Sequence, residues 1–475
     1  MLNPTNPLTL PAWRRCLAYV AVATMPLSVN VERFLPSVKG PLYFSPLDFL
    51  LPILAMLMLA DLLAKRPWAR FRCPPLAAIL WAGLAVASCL WSEGFPGAEA
   101  LKTCARGALN PVFFGVVAAW VFQNIAADVA ECRRLAVVLG GSFAVCALLA
   151  LKQYAGPVGL PYDPFEPARD LQGVSNIRLG GWYDFRGVFG AQAALLVPAA
   201  AAFALLDPDA AVRWAAGTLA VLALCVTLAA GGFIGACAGV AAVAVAFAVS
   251  RNWLTGLTAL MILLAVVAVV LPRLPRQNTA VLSRGLAFFA DDQGETKPTA
   301  RLRRYQAALD LLAAPSNPQD EKSTPYWVTG VGAGQYQKKI NQFYQPAYPK
   351  PGRRTDDEAA YDMEADERFT FGFLETVAVE LGVPGLLAVL FLFGTWILAA
   401  HGAFVKLSSS GPAANTAALL ALAAFGAGCG ALVVSVLANP VIRGVGGSFA
   451  FFFAVALCAQ HWANERRSET AGERG

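Results

Sequence analysis

The residue types best suited to chemistry fall in a few polar stretches. One is the acidic run Asp362-Met363-Glu364-Ala365-Asp366-Glu367, with Arg368 beside it and Glu375 and Glu380 on the apolar segment that follows. A carboxylate of this kind can take a proton from a hydroxyl; the other reading of such a run is a solvated acidic loop. A second stretch carries Arg178 and Arg186 just before an apolar run, with Asp184 as a candidate partner for Arg186. A guanidinium group can grip two phosphate oxygens at once. At bilayer height it is costly unless paired, or else it snorkels to lipid headgroups. Arg301, Arg303 and Arg304 form a third group, which reads as phosphate contact or as surface ion pairs. The chain has only two histidines, His401 and His461, so a histidine base would have to be one of them.

The elements that must position these groups are hydrophobic. The chain has 475 residues, 57% of them hydrophobic and 14% charged. Soluble domains carry roughly 25% charged residues. The mean hydropathy is +0.54. This excludes a disordered tail, a collagen-like fibre and a compact soluble enzyme, and predicts an all-α polytopic membrane protein. A membrane helix needs roughly 20 apolar residues, and about twelve such stretches can be read on that basis. They lie near 15–30, 46–63, 75–91, 103–123, 135–154, 187–206, 215–231, 233–249, 254–272, 382–400, 414–436 and 448–463. The first holds Pro26, and the pair meeting at Gly231-Gly232 could be one broken helix. The first run has no small-x-small cleavage site and reads as an uncleaved span.

Arginines and lysines set the expected orientation. Arg14, Arg15, Lys65, Arg66, Arg70, Arg72, Arg133, Arg134, Arg213, Arg251, Lys406 and the tail arginines all fall on one side of a twelve-span arrangement. Both termini are then cytoplasmic. The segments are 1–272 (nine spans, with an external stretch at 155–186), 273–381 (one large extracytoplasmic helical segment), 382–463 (three spans) and 464–475 (a cytoplasmic tail). The net charge of +6 follows from this topology and does not point to nucleic acid. None of the ten cysteines lies in the long external segments, so no disulfide framework is expected there.

Within 273–381, residues 299–314 predict an amphipathic helix with Leu302, Tyr305, Ala308, Leu309 and Leu312 on one face. Gly330, Gly332 and Gly334 read as a tight turn; no strand-turn-helix context supports a nucleotide loop. Residues 371–381 predict a further helix, ending at Gly382-Val383-Pro384-Gly385. The nearby tyrosines and Trp327 read as local packing or as platforms for sugars.

The order of these motifs is informative. Arg301 and Tyr305-Gln306-Ala307-Ala308-Leu309 precede Gly330-Val331-Gly332. A variable loop follows, then Leu374, Glu380, Gly382, Gly385, Leu386 and Leu387. With Pro46-Leu47-Asp48 and Arg186-Gly187-Val188-Phe189-Gly190, this layout resembles the O-antigen ligase and polymerase superfamily of bacterial envelope proteins. The resemblance implies a glycosyltransferase in the bacterial inner membrane. Such a protein takes glycan from a polyprenyl-pyrophosphate carrier on the outer side. It passes the glycan to another carrier-linked glycan (polymerase) or to lipid A-core (ligase).

The resemblance also orders the candidate residues. Arg186, Arg178, Arg301 and Arg368 would hold the pyrophosphate, whose charge grows as it leaves. Glu367, Asp366, Glu375 and Glu380 are candidates for the base; Glu380 matches the family's acid and could equally cap or pair with a loop arginine. The chemistry needs no cofactor and no metal if arginines supply the charge. The family's usual histidine is replaced by Thr370-Phe371-Gly372, and its Ser-Arg pair by Ala229-Ala230-Gly231-Gly232. The expected partners are the lipid-linked glycan donor, a glycan acceptor, the bilayer and other glycan-assembly proteins. Polymerase is the leading reading. Ligase, a transporter or flippase, and an inactive family member in an assembly complex stay open.

Overall fold

A computed structural model describes residues 12–26, 29–30, 43–44, 46–64, 72–92, 97–155, 186–227, 230–270, 297–315, 324–340, 372–411, 414–437 and 445–472. Helices dominate. Their runs of Ala, Leu and Val leave no side chain to satisfy a backbone group, and in lipid an α-helix satisfies its own. The only strands among the described residues are a two-residue antiparallel pair, Val29–Asn30 with Tyr43–Phe44.

In chain order the helices begin α1 (Ala12–Ala23), α2 (Pro46–Leu63), α3 (Leu76–Ser88), α4 (Ala98–Asn110), α5 (Ala119–Ile125) and α6 (Val129–Ala155). Then come α7 (Arg186–Leu206), α8 (Ala210–Val226), α9 (Ala230–Ser250) and α10 (Trp253–Val270). The polar segment supplies α11 (Lys297–Ala313), α12 (Tyr326–Thr329) and α13 (Tyr336–Ile340). The series ends with α14 (Phe373–Ser408), α15 (Asn415–Leu437) and α16 (Gly446–Gly472). A π-helical stretch, Pro111–Ala118, joins α4 to α5. Pro111 brings no amide to the ladder there, and a wider turn lets the helix run on.

Seven described helices are long and apolar enough to cross a membrane, and three shorter apolar ones accompany them. The chain is therefore a nearly all-helical membrane protein. Of the roughly twelve spans expected, these helices represent ten stretches, seven of full length. The helix at Ala12–Ala23 stops short of Pro26 instead of running to residue 30. The break predicted at Gly231-Gly232 falls slightly earlier, between Val226 and Ala230. His401 lies within α14, which continues to Ser408, and not just beyond a span.

The helices form a shell around a core. On α2, Phe49, Met56 and Leu63 are exposed; on α10, Leu254, Met261 and Leu264 are exposed. These are faces suited to lipid. The core is α7, α9, α15 and α16, packed through small residues. A Cβ on Gly232 would collide with the backbone of Gly190, one on Gly430 with the carbonyl of Ala194, and one on Gly239 with Pro198.

Polar contacts sort the helix ends into two layers. In one, Arg14 pairs with Asp61, and Glu131 receives both Arg15 and Arg134. Arg133 grips Asp207 with two hydrogen bonds of 2.8 and 2.6 Å. Arg251 bonds Asn415, Lys406 bonds Asn464, and the Trp462 indole donates to the Ala127 carbonyl. Trp13, Trp214 and Trp253 are exposed near this layer, as interfacial tryptophans tend to be. The opposite layer holds the ends of α3 and α15, the starts of α4 and α14, and the polar segment.

Candidate functional site

The organising feature of the opposite layer is a break in α14. Gly382 has φ 68° and ψ −169°, which is not helical. Two residues on, Pro384 has no amide to give. The carbonyls of Val379 and Glu380 thus lose the amides a continuous helix would offer, and buried carbonyls need partners. The glycine turn supplies them. Val331 N–H donates to the Val379 carbonyl at 2.9 Å and Gly332 N–H to the Glu380 carbonyl at 3.0 Å. The turn reaches them because Gly330, Gly332 and Gly334 take φ of 72°, 96° and 77°, the left-handed region that glycine tolerates.

Other contacts fix the turn on the bundle. Ala333 N–H donates to Ser88 Oγ at 3.0 Å, and the Trp91 indole donates to the Thr329 carbonyl at 2.8 Å. A Cβ on Gly107 would strike the backbone of Gly334. Farther along, Tyr305 Oη donates to the Val436 carbonyl at 2.8 Å and ties α11 to the end of α15. Ala307, Ala308, Leu311, Val331, Tyr336, Ile340 and Val379 make a small core of their own.

That core corrects the expected face of α11. Ala307, Ala308 and Leu311 point inward, whereas Leu309 is 60% exposed. Leu312, from the expected face, also packs against this core.

Glu375 and Glu380 converge on Tyr336, itself 2% exposed. The tyrosine hydroxyl donates to Glu375, and the tyrosine amide donates to Glu380 Oε1 at 3.4 Å. The Glu380 side chain thus meets the first amide of α13.

The other candidates are placed less fully. Arg186 opens α7, and Arg301 stands one turn before Tyr305 in α11. Arg178, Asp366, Glu367 and Arg368 lie outside the described residues. Among the described residues no three His, Cys, Asp or Glu gather as metal ligands.

Ser88, Trp91 and the latching role of Tyr336 were not anticipated from sequence. The signal for the turn's partner was present: a Gly-Val-Pro in mid-helix must free carbonyls, and a nearby Gly-x-Gly-x-Gly can feed them amides.

Tyr336→Phe deletes only the hydroxyl. A hydrogen bond to a charged group contributes about 1.5–3 kcal/mol, so the variant should melt several degrees lower in detergent. An unchanged melting temperature would mean that the Glu375 contact adds nothing to stability.

Comparison with families of known proteins finds no match to the chain, and comparison with curated proteins finds none either.

Proposed function

We propose that the chain is a membrane glycosyltransferase of the O-antigen polymerase type. It would move glycan from a polyprenyl-pyrophosphate carrier to a second glycan on the outer side of a bacterial inner membrane. The observation that carries this reading is the division of labour along the bundle axis. The ion pairs of the helix ends sit in one layer. A folded polar segment caps the other. A protein that acts on a lipid-linked glycan needs that plan: an apolar bundle for the carrier's tail and a polar platform at headgroup height. A transporter would instead place ionisable groups along a midplane path.

The contacts at the two layers support twelve crossings, with the shorter helices α1, α3, α8 and α10 and the buried α16 counted among them. Both termini and the paired arginines would then face the cytoplasm. The polar segment between the ninth and tenth crossings would face outward. In the reaction, Arg186, Arg178, Arg301 and Arg368 would bind the pyrophosphate. Asp366 or Glu367 would assist the acceptor hydroxyl. Glu375 and Glu380, both engaged with Tyr336, would act chiefly by holding the platform. That engagement also favours a second reading, an inactive member within a glycan-assembly complex.

Deleting the gene should remove the ladder of polymerised surface glycan while leaving single-unit capping; unchanged ladders and capping would sink the proposal. Arg186→Ala should abolish ladder formation with the protein still inserted, whereas the inactive-member reading expects no change. Orientation is checked by thiol labelling. Thr324→Cys should react in intact cells, and Ser410→Cys only after the inner membrane is opened; both positions are exposed.

A further inference from the structure

Arg251 differs from the other arginines of its layer in how its charge is met. Arg14, Arg15, Arg133 and Arg134 each meet a carboxylate, on Asp61, Glu131 or Asp207. Arg251, which follows the last residue of α9, makes no ion pair with any described residue. Its Nη1 donates to the neutral Oδ1 of Asn415, the first residue of α15, at 2.7 Å. Its Nε and Nη2 are buried and have no acceptor. Burial lowers its pKa, and no neighbouring charge opposes that.

A guanidinium held in this way is costly. Its charge is partly desolvated without a counter-charge, and buried donors are left unmet. The start of α15 is the positive end of a helix dipole and adds to the cost. A negative group at this place would relieve all three.

The surroundings say which negative group is at hand. Val249 and Trp253, two residues before and two after Arg251, are exposed, and so are Leu254 and Leu257 along α10. An exposed tryptophan beside an apolar helix face marks headgroup height. A phosphate that comes to Arg251 from that side therefore carries acyl chains.

We propose that Arg251 anchors a binding site for an anionic phospholipid, with the lipid phosphate on the guanidinium and the acyl chains along the exposed faces of α9 and α10. The Nε–Nη2 edge faces protein in the structure, and it is an edge that can hold two phosphate oxygens. The residue itself is partly exposed, and a rotation of the side chain turns that edge to the headgroup. A zwitterionic headgroup would bring an ammonium to a place that already holds a guanidinium and a helix N-terminus. A lipid with net negative charge is favoured for that reason, as at other basic sites between membrane helices. Such a site is independent of the glycan chemistry and of which leaflet this layer faces.

The test uses the full-length protein, freed of lipid in a neutral detergent. Phosphatidylglycerol, phosphatidylcholine and inorganic phosphate are added in separate titrations. Thermal unfolding and native mass spectrometry report binding. Phosphatidylglycerol should raise the melting temperature and stay on the protein in the gas phase; phosphatidylcholine should do much less, and phosphate nothing. Arg251→Gln should bind phosphatidylglycerol about tenfold more weakly, as loss of a charge-assisted hydrogen bond implies. Lys406→Gln, at the same layer, should bind as the wild type does. Without lipid, Arg251→Gln should melt no lower than the wild type, because an uncompensated charge has been removed; a lower value would make the guanidinium a structural prop and overturn the premise. Equal affinity of wild type and Arg251→Gln for phosphatidylglycerol overturns the site. So does equal affinity of the wild type for the two lipids, a measurement that needs no variant. If inorganic phosphate alone reproduces the shift, the occupant is a free anion and the phospholipid is overturned. If Lys406→Gln weakens binding as much as Arg251→Gln, the attraction belongs to the layer's general charge and the site is overturned.

Discussion

Gly330→Val should release the polar segment from the bundle. Gly330 has φ 72° and ψ 176°, a combination essentially reserved for glycine. Its missing side chain leaves room for the Glu380 carbonyl, and Gly382 in turn leaves room for the Gly330 amide. The two glycines thus face each other, and each is small for the other's sake. The substitution adds backbone strain of about 1–3 kcal/mol and overpacking of typically about 1–3 kcal/mol. It also endangers the bonds to the Val379 and Glu380 carbonyls. We expect the melting temperature to fall by well over the Tyr336→Phe shift, new protease cleavage between residues 324 and 340, and loss of glycan product from a protein that still inserts. Gly394→Ala is the control: it has nothing within 4 Å of the added Cβ. In an exposed helix interior alanine is favoured over glycine by about 1 kcal/mol. Equal stability of the two variants would refute the facing-glycine account.

Arg133→Ala should be the most damaging change at the layer of helix-end ion pairs. The Asp207 side chain is 0% exposed and receives both Arg133 bonds. Removing the guanidinium leaves a buried carboxylate without its charge partner. Breaking such a pair costs about 3–5 kcal/mol, whereas replacing both members with apolar residues is often nearly neutral. The double variant Arg133→Leu, Asp207→Leu should therefore be more stable than Arg133→Ala alone. Thermal unfolding in one detergent checks the order; a double variant weaker than the single would show that the pair contributes more than its charge balance.

The sequence made the long apolar helices legible because length and composition alone decide them: 46–63 was expected and Pro46–Leu63 is found. It also made the helix of residues 371–381 and its stop at Gly382 legible, since Gly-Val-Pro punctuates any helix. Hydropathy also marked 448–463, which lies within α16 (Gly446–Gly472). What it did not show is that this helix is buried by protein from Phe449 to Ala456. The latch was hidden for a different reason. Tyr336 is 39 residues from Glu375 and 44 from Glu380, and no local pattern announces a bond over that distance. On α11 the expected face holds at Ala308 and Leu312 but is rotated, so that Leu311 is buried and Leu309 is exposed.

The burial of α16 bears on how the protein will behave once extracted. Phe451 and Phe453 are both 0% exposed, and Phe449 stacks edge-on against Trp396 with centroids 5.1 Å apart. This helix gains its stability from protein neighbours and almost none from acyl chains. The exposed faces of α2 and α10 depend on whatever amphiphile surrounds them. A change of detergent should therefore perturb the molecule from the outside inward. Amide exchange would quicken first along α2 and α10 and last along α16, so the C-terminal helix would act as the post around which the rest can be re-solvated.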